Sequence, residues 1–213
     1  MFSSFYLFST LHWVDFEAAV FQPKILGYWF FCFFIGSIPS GLWLGKIFGG
    51  MDVRTQGSGN IGATNVVRLL GKKMGFLTFF LDFGKALLMV GIGACFFLGN
   101  FPVAFLVGGV LVVVGHTRSV FLKFTGGKGV ASLFGLLLGL DWRIFLLAAI
   151  TWLVVFGWGR ISGLSALFTL LVLPFFFYFF YSFSFAFVLL SLLSFYILLL
   201  HHKNIKQLTG LGK

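Results

Sequence analysis

Residues 183–201 read FSFAFVLLSLLSFYILLLH, an unbroken run with no acid or basic side chain ahead of its closing histidine. About 20 apolar residues cross a hydrocarbon core as a helix, and this run is of that length. Similar stretches lie at 25–48, 74–98, 101–121, 130–140, 143–159 and 163–181. The stretch at 130–140 is short for a full crossing and reads as a partial or tilted helix. Asp141-Trp142-Arg143 marks the break after it, and Pro174 is expected to kink the stretch that contains it. The chain of 213 residues is 60% hydrophobic and only 9% charged, with a mean hydropathy of +1.07. Soluble domains are about 25% charged, so a soluble globular enzyme is excluded. The apolar runs are continuous rather than alternating, which excludes a transmembrane barrel.

The expected fold is an all-α integral membrane protein of about seven transmembrane helices. Residues 25–201 are expected to form one transmembrane domain, after an interfacial extension at 1–24 and before a tail at 202–213. The first twenty residues have neither the basic start nor the small-residue cleavage site of a secretory signal. Cys32 and Cys95 each lie in an apolar run without metal-ligand spacing and read as small apolar side chains.

Of 20 charged residues, 15 are Lys or Arg, for a net charge of +10. With seven crossings and the N-terminus outside, one face collects Lys46, Arg54, Arg68, Lys72, Lys73, Arg118, Lys123, Lys128, Arg160, Lys203, Lys206 and Lys213. The positive-inside rule makes that face, and the C-terminus, cytoplasmic. Asp52 is the one carboxylate among these cations. Topology alone does not require acids to be excluded, whereas holding anionic ligands does.

The glycines and amides of that face refine the picture. Gly57-x-Gly59-x-x-Gly62 has the form of a dinucleotide fingerprint, but residues 52–56 are polar, where the fingerprint needs an apolar strand. Its physical content is a backbone nest for an oxyanion, with Ser58, Asn60, Asn65 and Arg68 as further donors. A helix starting near Ile61 would put Asn65 and Arg68 on one face. Gly126-Gly127-Lys128-Gly129 resembles a phosphate loop, but Gly129 stands where a nucleotide-metal site needs Ser or Thr. It remains a good anion site at a helix start. Asp82 and Lys85, three apart inside an apolar stretch, read as a buried pair, either orienting the basic loops or serving function directly. His201 and Asn204 share a face at the end of the last stretch, and His12 is given no role.

Together these motifs resemble the bacterial integral-membrane acyl-phosphate:glycerol-3-phosphate acyltransferases. The resemblance runs through Gly36-Ser37-Ile38-Pro39, Ser58-Gly59-Asn60-x-Gly62-Ala63-x-Asn65-x-x-Arg68 and Leu81-Asp82-x-x-Lys85. It continues through Gly115-His116, Gly126-Gly127-Lys128-Gly129-Val130-Ala131 and His201-x-x-Asn204. It implies transfer of a fatty acyl group from acyl phosphate to the 1-hydroxyl of glycerol 3-phosphate, at the cytoplasmic face of a bacterial inner membrane. Its partners are those two substrates and the lipid bilayer, with no nucleic acid, no metal and no cofactor. Ser58, Asn60, Asn65, Arg68, Lys128, His201 and Asn204 are the implied catalytic residues. Gly59, Gly62, Gly126, Gly127, Gly129, His116 and Ser162 are the implied binding residues, and Asp82 and Lys85 are structural. Two positions depart from the family pattern. Lys203 stands where an acidic or small polar residue is usual, and Gly163 stands in the register of a serine, with Ser162 the favoured substitute over Ser165.

Rival readings predict different residues. A transporter for an anionic or phosphorylated solute would place its site near the midplane in broken helices. A metal-dependent phospholipid transferase needs clustered carboxylates. The His-x₄-Asp signature of other glycerolipid acyltransferases is absent from the sequence.

Overall fold

A computed structural model describes residues 8, 10–97 and 101–208, so the first residues of the extension and Lys213 lie outside it. The described residues are helical, joined by short loops, and fall into two compact units: Glu17–Gly139, and Leu140–Lys213 with Met1–Phe16.

The helices are α1 (Trp13–Val20), α2 (Pro23–Gly36), α3 (Ser40–Gly49), α4 (Ala63–Phe97), α5 (Pro102–Thr117) and α6 (Val130–Leu140). They continue as α7 (Trp142–Gly159), α8 (Ser162–Tyr181), α9 (Phe185–Leu200) and α10 (His202–Leu208). Four apolar segments are long enough to cross a membrane: Pro23–Gly49, Ala63–Phe97, Trp142–Gly159 and Ser162–Tyr181. Helices α5, α6 and α9 are apolar but shorter, at 16, 11 and 16 residues. Pro174 is accommodated within α8, which continues from Ser162 to Tyr181.

Three expected helices are modified. The stretch expected as one helix over 25–48 is split into α2 and α3 at Ser37–Pro39. Pro39 has no N–H to donate, and it disfavours helical geometry at Ile38. The stretch expected at 74–98 is the distal part of α4, whose Gly71 takes φ 83°, ψ 172° and separates a short leading helix from the long apolar rod. Only glycine adopts that conformation at little cost. The stretch expected at 101–121 ends its α-helix at Thr117, and a 3₁₀ turn, Val120–Leu122, follows.

In the unit Glu17–Gly139, small residues bring helix backbones together. A side chain at Gly36 would meet the Val112 backbone, one at Gly115 the Phe33 carbonyl, and one at Gly135 the Phe83 carbonyl. In lipid, helix association draws on such close packing rather than on the hydrophobic effect. Trp29 Nε1 donates to the Ala104 carbonyl at 2.8 Å, and the Tyr28 hydroxyl to that of Met89 at 2.6 Å. Large apolar side chains such as Phe30, Phe76, Phe80 and Leu88 point outward, while Asp82, Lys85 and His116 are buried. In the other unit, Asp141 caps α7 by accepting from the Arg143 N–H, and its carboxylate pairs with the same guanidinium. Arg143 also lies 4.6 Å from the Phe180 ring centroid.

The glycine seam can be tested by overpacking. Gly36→Leu or Gly115→Leu should destabilise the detergent-solubilised protein by about 1–3 kcal/mol or more. Gly27→Leu, where a Cβ meets nothing within 4 Å, should leave the thermal midpoint nearly unchanged.

Candidate active site

The loop joining α3 to α4 is shaped by its own side chains. Asp52 accepts from the Arg54 guanidinium at 2.6 Å, and that contact holds its carboxyl down to about 2. The one carboxylate of this loop is therefore occupied by its neighbour and stays ionised at neutral pH. Gly57 has φ 60°, and a Cβ there would collide with the Asn65 amide oxygen. That oxygen accepts from the Ser58 N–H at 2.8 Å, while Asn65 Nδ2 donates to the Val53 and Gln56 carbonyls at 3.0 and 3.2 Å. Both amide hydrogens of Asn65 are thus engaged within the loop. Asn60 accepts from the Gly62 N–H at 2.8 Å, setting the turn into α4. The helix begins at Ala63, two residues after the expected start. Asn65 is buried and turned into the loop, whereas Arg68 and Ser58 are exposed.

The second loop hangs from the end of α5. Lys123 and Phe124 take left-handed backbone geometry, and a bridge between Ser119 and Thr125 closes the turn. The Gly127 N–H then donates to the His116 carbonyl at 3.1 Å. Side chains at Gly126 or Gly127 would strike the backbone of His116 and Thr117 or the imidazole of His116. Lys128 is half-buried, and α6 starts two residues later, its first turn closed by the Leu133 N–H on the Gly129 carbonyl at 2.8 Å.

Beneath this loop, Asp82 and Lys85 form the ion pair expected from their spacing, at 2.9 Å. The sequence did not reveal its extent. Lys85 Nζ also lies 3.0 Å from His116 Nδ1 and 3.1 Å from the Ile38 carbonyl. Ser132 Oγ donates to the Asp82 carbonyl at 3.0 Å.

The unit Leu140–Lys213 holds the remaining candidates. His201 is buried at the end of α9, its Nδ1 2.9 Å from the Ile197 carbonyl. A carbonyl only accepts, so Nδ1 carries the proton and, in the neutral ring, Nε2 carries the lone pair. The Asn204 N–H donates to the His201 carbonyl at 2.8 Å. The Asn204 amide packs on Gly163, so a side chain there would have to displace it. Ser165 is buried and turns back to the Ile161 carbonyl, while Ser162 is half-buried in the first turn of α8.

Outward-facing apolar helices, a buried ion cluster and cationic glycine-rich loops at helix ends define an integral membrane protein with polar chemistry at its helix ends. The glycerol-3-phosphate acyltransferase family model matches residues 26–210. A glycerol-3-phosphate acyltransferase of Bartonella henselae is 41% identical over 180 residues, covering 83% of this chain and 84% of that protein. One of Dinoroseobacter shibae is 42% identical over 177 residues, covering 83% and 85%. The crystal structure of PlsY (YgiH), an integral membrane glycerol 3-phosphate acyltransferase in its glycerol 3-phosphate form, superposes with a TM-score of 0.80. It is 33% identical and covers 88% of this chain and 93% of that one. The same protein in a lysophosphatidic acid form gives a TM-score of 0.77. The chain belongs to the glycerol-3-phosphate acyltransferase family.

The Asn65 contacts can be tested directly. Each intramolecular hydrogen bond contributes about 0.5–1.5 kcal/mol net. Asn65→Ala should therefore lower the thermal midpoint and speed amide exchange across residues 53–60 selectively. Unchanged exchange there would show that the loop is held by other means.

Proposed function

We propose that the chain moves a fatty acyl group from acyl phosphate to the 1-hydroxyl of glycerol 3-phosphate, releasing lysophosphatidic acid and inorganic phosphate. The observation that carries this reading is the Gly126–Gly129 loop, seated on His116 in a chain of this family. Apart from the Gly127 N–H, which is bonded to the His116 carbonyl, it brings backbone N–H groups and the Lys128 side chain to a helix N-terminus, a combination suited to a phosphate. The solved relative, crystallised in glycerol 3-phosphate and lysophosphatidic acid forms, supports that substrate and product.

In this reading residues 25–201 cross the inner membrane of a bacterium seven times, N-terminus outside. The loops of twelve cations then face the cytoplasm, where both anionic substrates are met. Arg68 and Lys128 neutralise phosphate charge, and Ser58 and Asn60 supply hydrogen bonds. Gly59, Gly62, Gly126, Gly127 and Gly129 let the backbone approach. Asn65 is a positioning residue, since its amide is spent on the loop. Ser162, the neighbour of Gly163 in the sequence, substitutes for the serine usual in that register.

Acyl phosphate is a mixed anhydride with a good leaving group, so no covalent enzyme intermediate is needed. The 1-hydroxyl oxygen bonds to the acyl carbon, the bond from that carbon to the phosphate oxygen breaks, and the hydroxyl proton leaves. His201 Nε2 takes that proton, with Asn204 orienting the hydroxyl. Positioning and charge neutralisation supply the rest of the acceleration. The transporter reading loses its best support, because the ammonium of Lys85 is engaged by three protein acceptors.

The decisive assay offers the purified protein acyl phosphate, acyl-CoA and acyl-carrier protein separately. Phosphate release and lysophosphatidic acid are expected with acyl phosphate only, and activity with acyl-CoA alone would overturn the donor. Removing a charged hydrogen bond costs about 1.5–3 kcal/mol, so Lys128→Ala should raise the KM for glycerol 3-phosphate by about tenfold or more. Arg68→Ala should nearly abolish transfer.

General-base catalysis contributes about 10²–10⁴-fold, and His201→Gln should lose a factor of that size. Near-normal turnover in His201→Gln would instead assign the proton to the donor's phosphate.

A further inference from the structure

Asp82, Lys85 and His116 lie on two helices, and Ile38 lies in the break between two others. Lys85 Nζ has three hydrogens to donate. Three acceptors surround it: Asp82 Oδ1 at 2.9 Å, His116 Nδ1 at 3.0 Å and the Ile38 carbonyl at 3.1 Å. All three side chains are buried. His116 Nδ1 has two neighbours, Asp82 Oδ1 at 3.3 Å and Lys85 Nζ at 3.0 Å; the ammonium is the nearer and cannot accept a hydrogen bond, so that contact takes the lone pair on Nδ1. The imidazole is then neutral, with its proton on Nε2. That Nε2 edge lies against Gly127, close enough that a Cβ on Gly127 would overlap it. The His116 carbonyl accepts from the Gly127 N–H on the same side.

We propose that Asp82, Lys85 and His116 form a positioning relay that fixes the Gly126–Gly129 loop, with His116 held as the Nε2–H tautomer and acting on the phosphate site only through Lys128. Charge on Asp82 holds Lys85, Lys85 orients the imidazole through Nδ1, and the imidazole sets the height of the loop. The Ile38 carbonyl ties the same ammonium to the helix break, so a shift in α2 or α3 also reaches the loop through Lys85 Nζ. His116 is therefore a positioning residue rather than a ligand for substrate. Its kinetic readout rests on the acyltransferase reading, but its structural readout does not.

Two substitutions divide the imidazole by function. His116→Asn retains an oxygen near the position of Nδ1, keeping an acceptor for Lys85, but loses the edge against Gly127. His116→Gln places its amide near the position of Nε2, keeping the loop contact, but leaves Lys85 one acceptor short. The expected result for His116→Asn is a near-normal thermal midpoint, faster amide exchange confined to residues 123–130, and a KM for glycerol 3-phosphate raised about tenfold. Directly coupled neighbours give effects of that size. The KM for acyl phosphate should not move.

His116→Gln should show the opposite pattern, with a lowered midpoint and a KM close to that of the parent. In a Lys128→Ala background His116→Asn should raise the KM no further. Multiplying effects in the double variant, or unchanged exchange at 123–130 in His116→Asn, would overturn the relay. If the parent protein transfers no acyl group, the function fails, and the exchange pattern and midpoints still decide the relay.

Discussion

A backbone carbonyl left without a donor inside a bilayer costs several kcal/mol, and the break at Ser37–Pro39 creates that problem in the first long apolar segment. The chain meets it with side chains from distant segments. The Ser37 carbonyl accepts from Ser119 Oγ at 2.5 Å, and the Ile38 carbonyl, which has one local bond from the Ser40 N–H at 3.1 Å, accepts a second from Lys85 Nζ at 3.1 Å. Ser119 opens the turn that leads to Lys128, and Lys85 reaches the histidine against which that turn rests. The interactions that make the break tolerable therefore also place the cationic loop. A straight helix over residues 25–48 would need neither partner, and the loop would lose two of its ties to the rest of the unit.

Much of the fold was legible because hydrocarbon imposes a strict code. Seven apolar stretches read from composition alone correspond to helical segments, and the polar interruption Asp141-Trp142-Arg143 does separate α6 from α7. The differences lie where one residue changes backbone direction, inside an apolar run at Pro39 and just ahead of one at Gly71. Pro39 was visible within 25–48, but apolar neighbours on both sides masked the break. Gly71 lies just ahead of the expected stretch 74–98, beside Lys72 and Lys73, and only its backbone angles reveal why glycine is needed there.

The candidate site was legible at the level of segments more than of atoms. Local spacing predicted the Asp82–Lys85 pair because residues three apart on a helix are neighbours. No such rule brings His116 to Lys85 across 31 positions, or Ser132 to the Asp82 carbonyl across 50. Those contacts depend on how α4, α5 and α6 pack. Asn65 illustrates a different limit. An amide beside glycines suits a ligand or a loop equally well, and what distinguishes them is the placing of the Val53 and Gln56 carbonyls within its reach.

The excess of positive charge also takes on a finer structure. Three of the five acids are bound to a cation in their own neighbourhood: Asp52 to Arg54, Asp82 to Lys85 and Asp141 to Arg143. None of these pairs is spare capacity for an anionic ligand. Asp52 stays ionised well below neutral pH, so Arg54 remains committed to it whenever the protein is in water near pH 7. Solvent screens such an exposed pair, which adds little to stability. Its effect is instead selective: it removes one guanidinium from the cationic loop and leaves the exposed Arg68, fourteen positions on, as the guanidinium at the start of α4. Counting cations thus overstates the field that a phosphate would meet. The relevant charges are those whose acids are absent, and the glycine loops determine how near the backbone can bring a ligand to them.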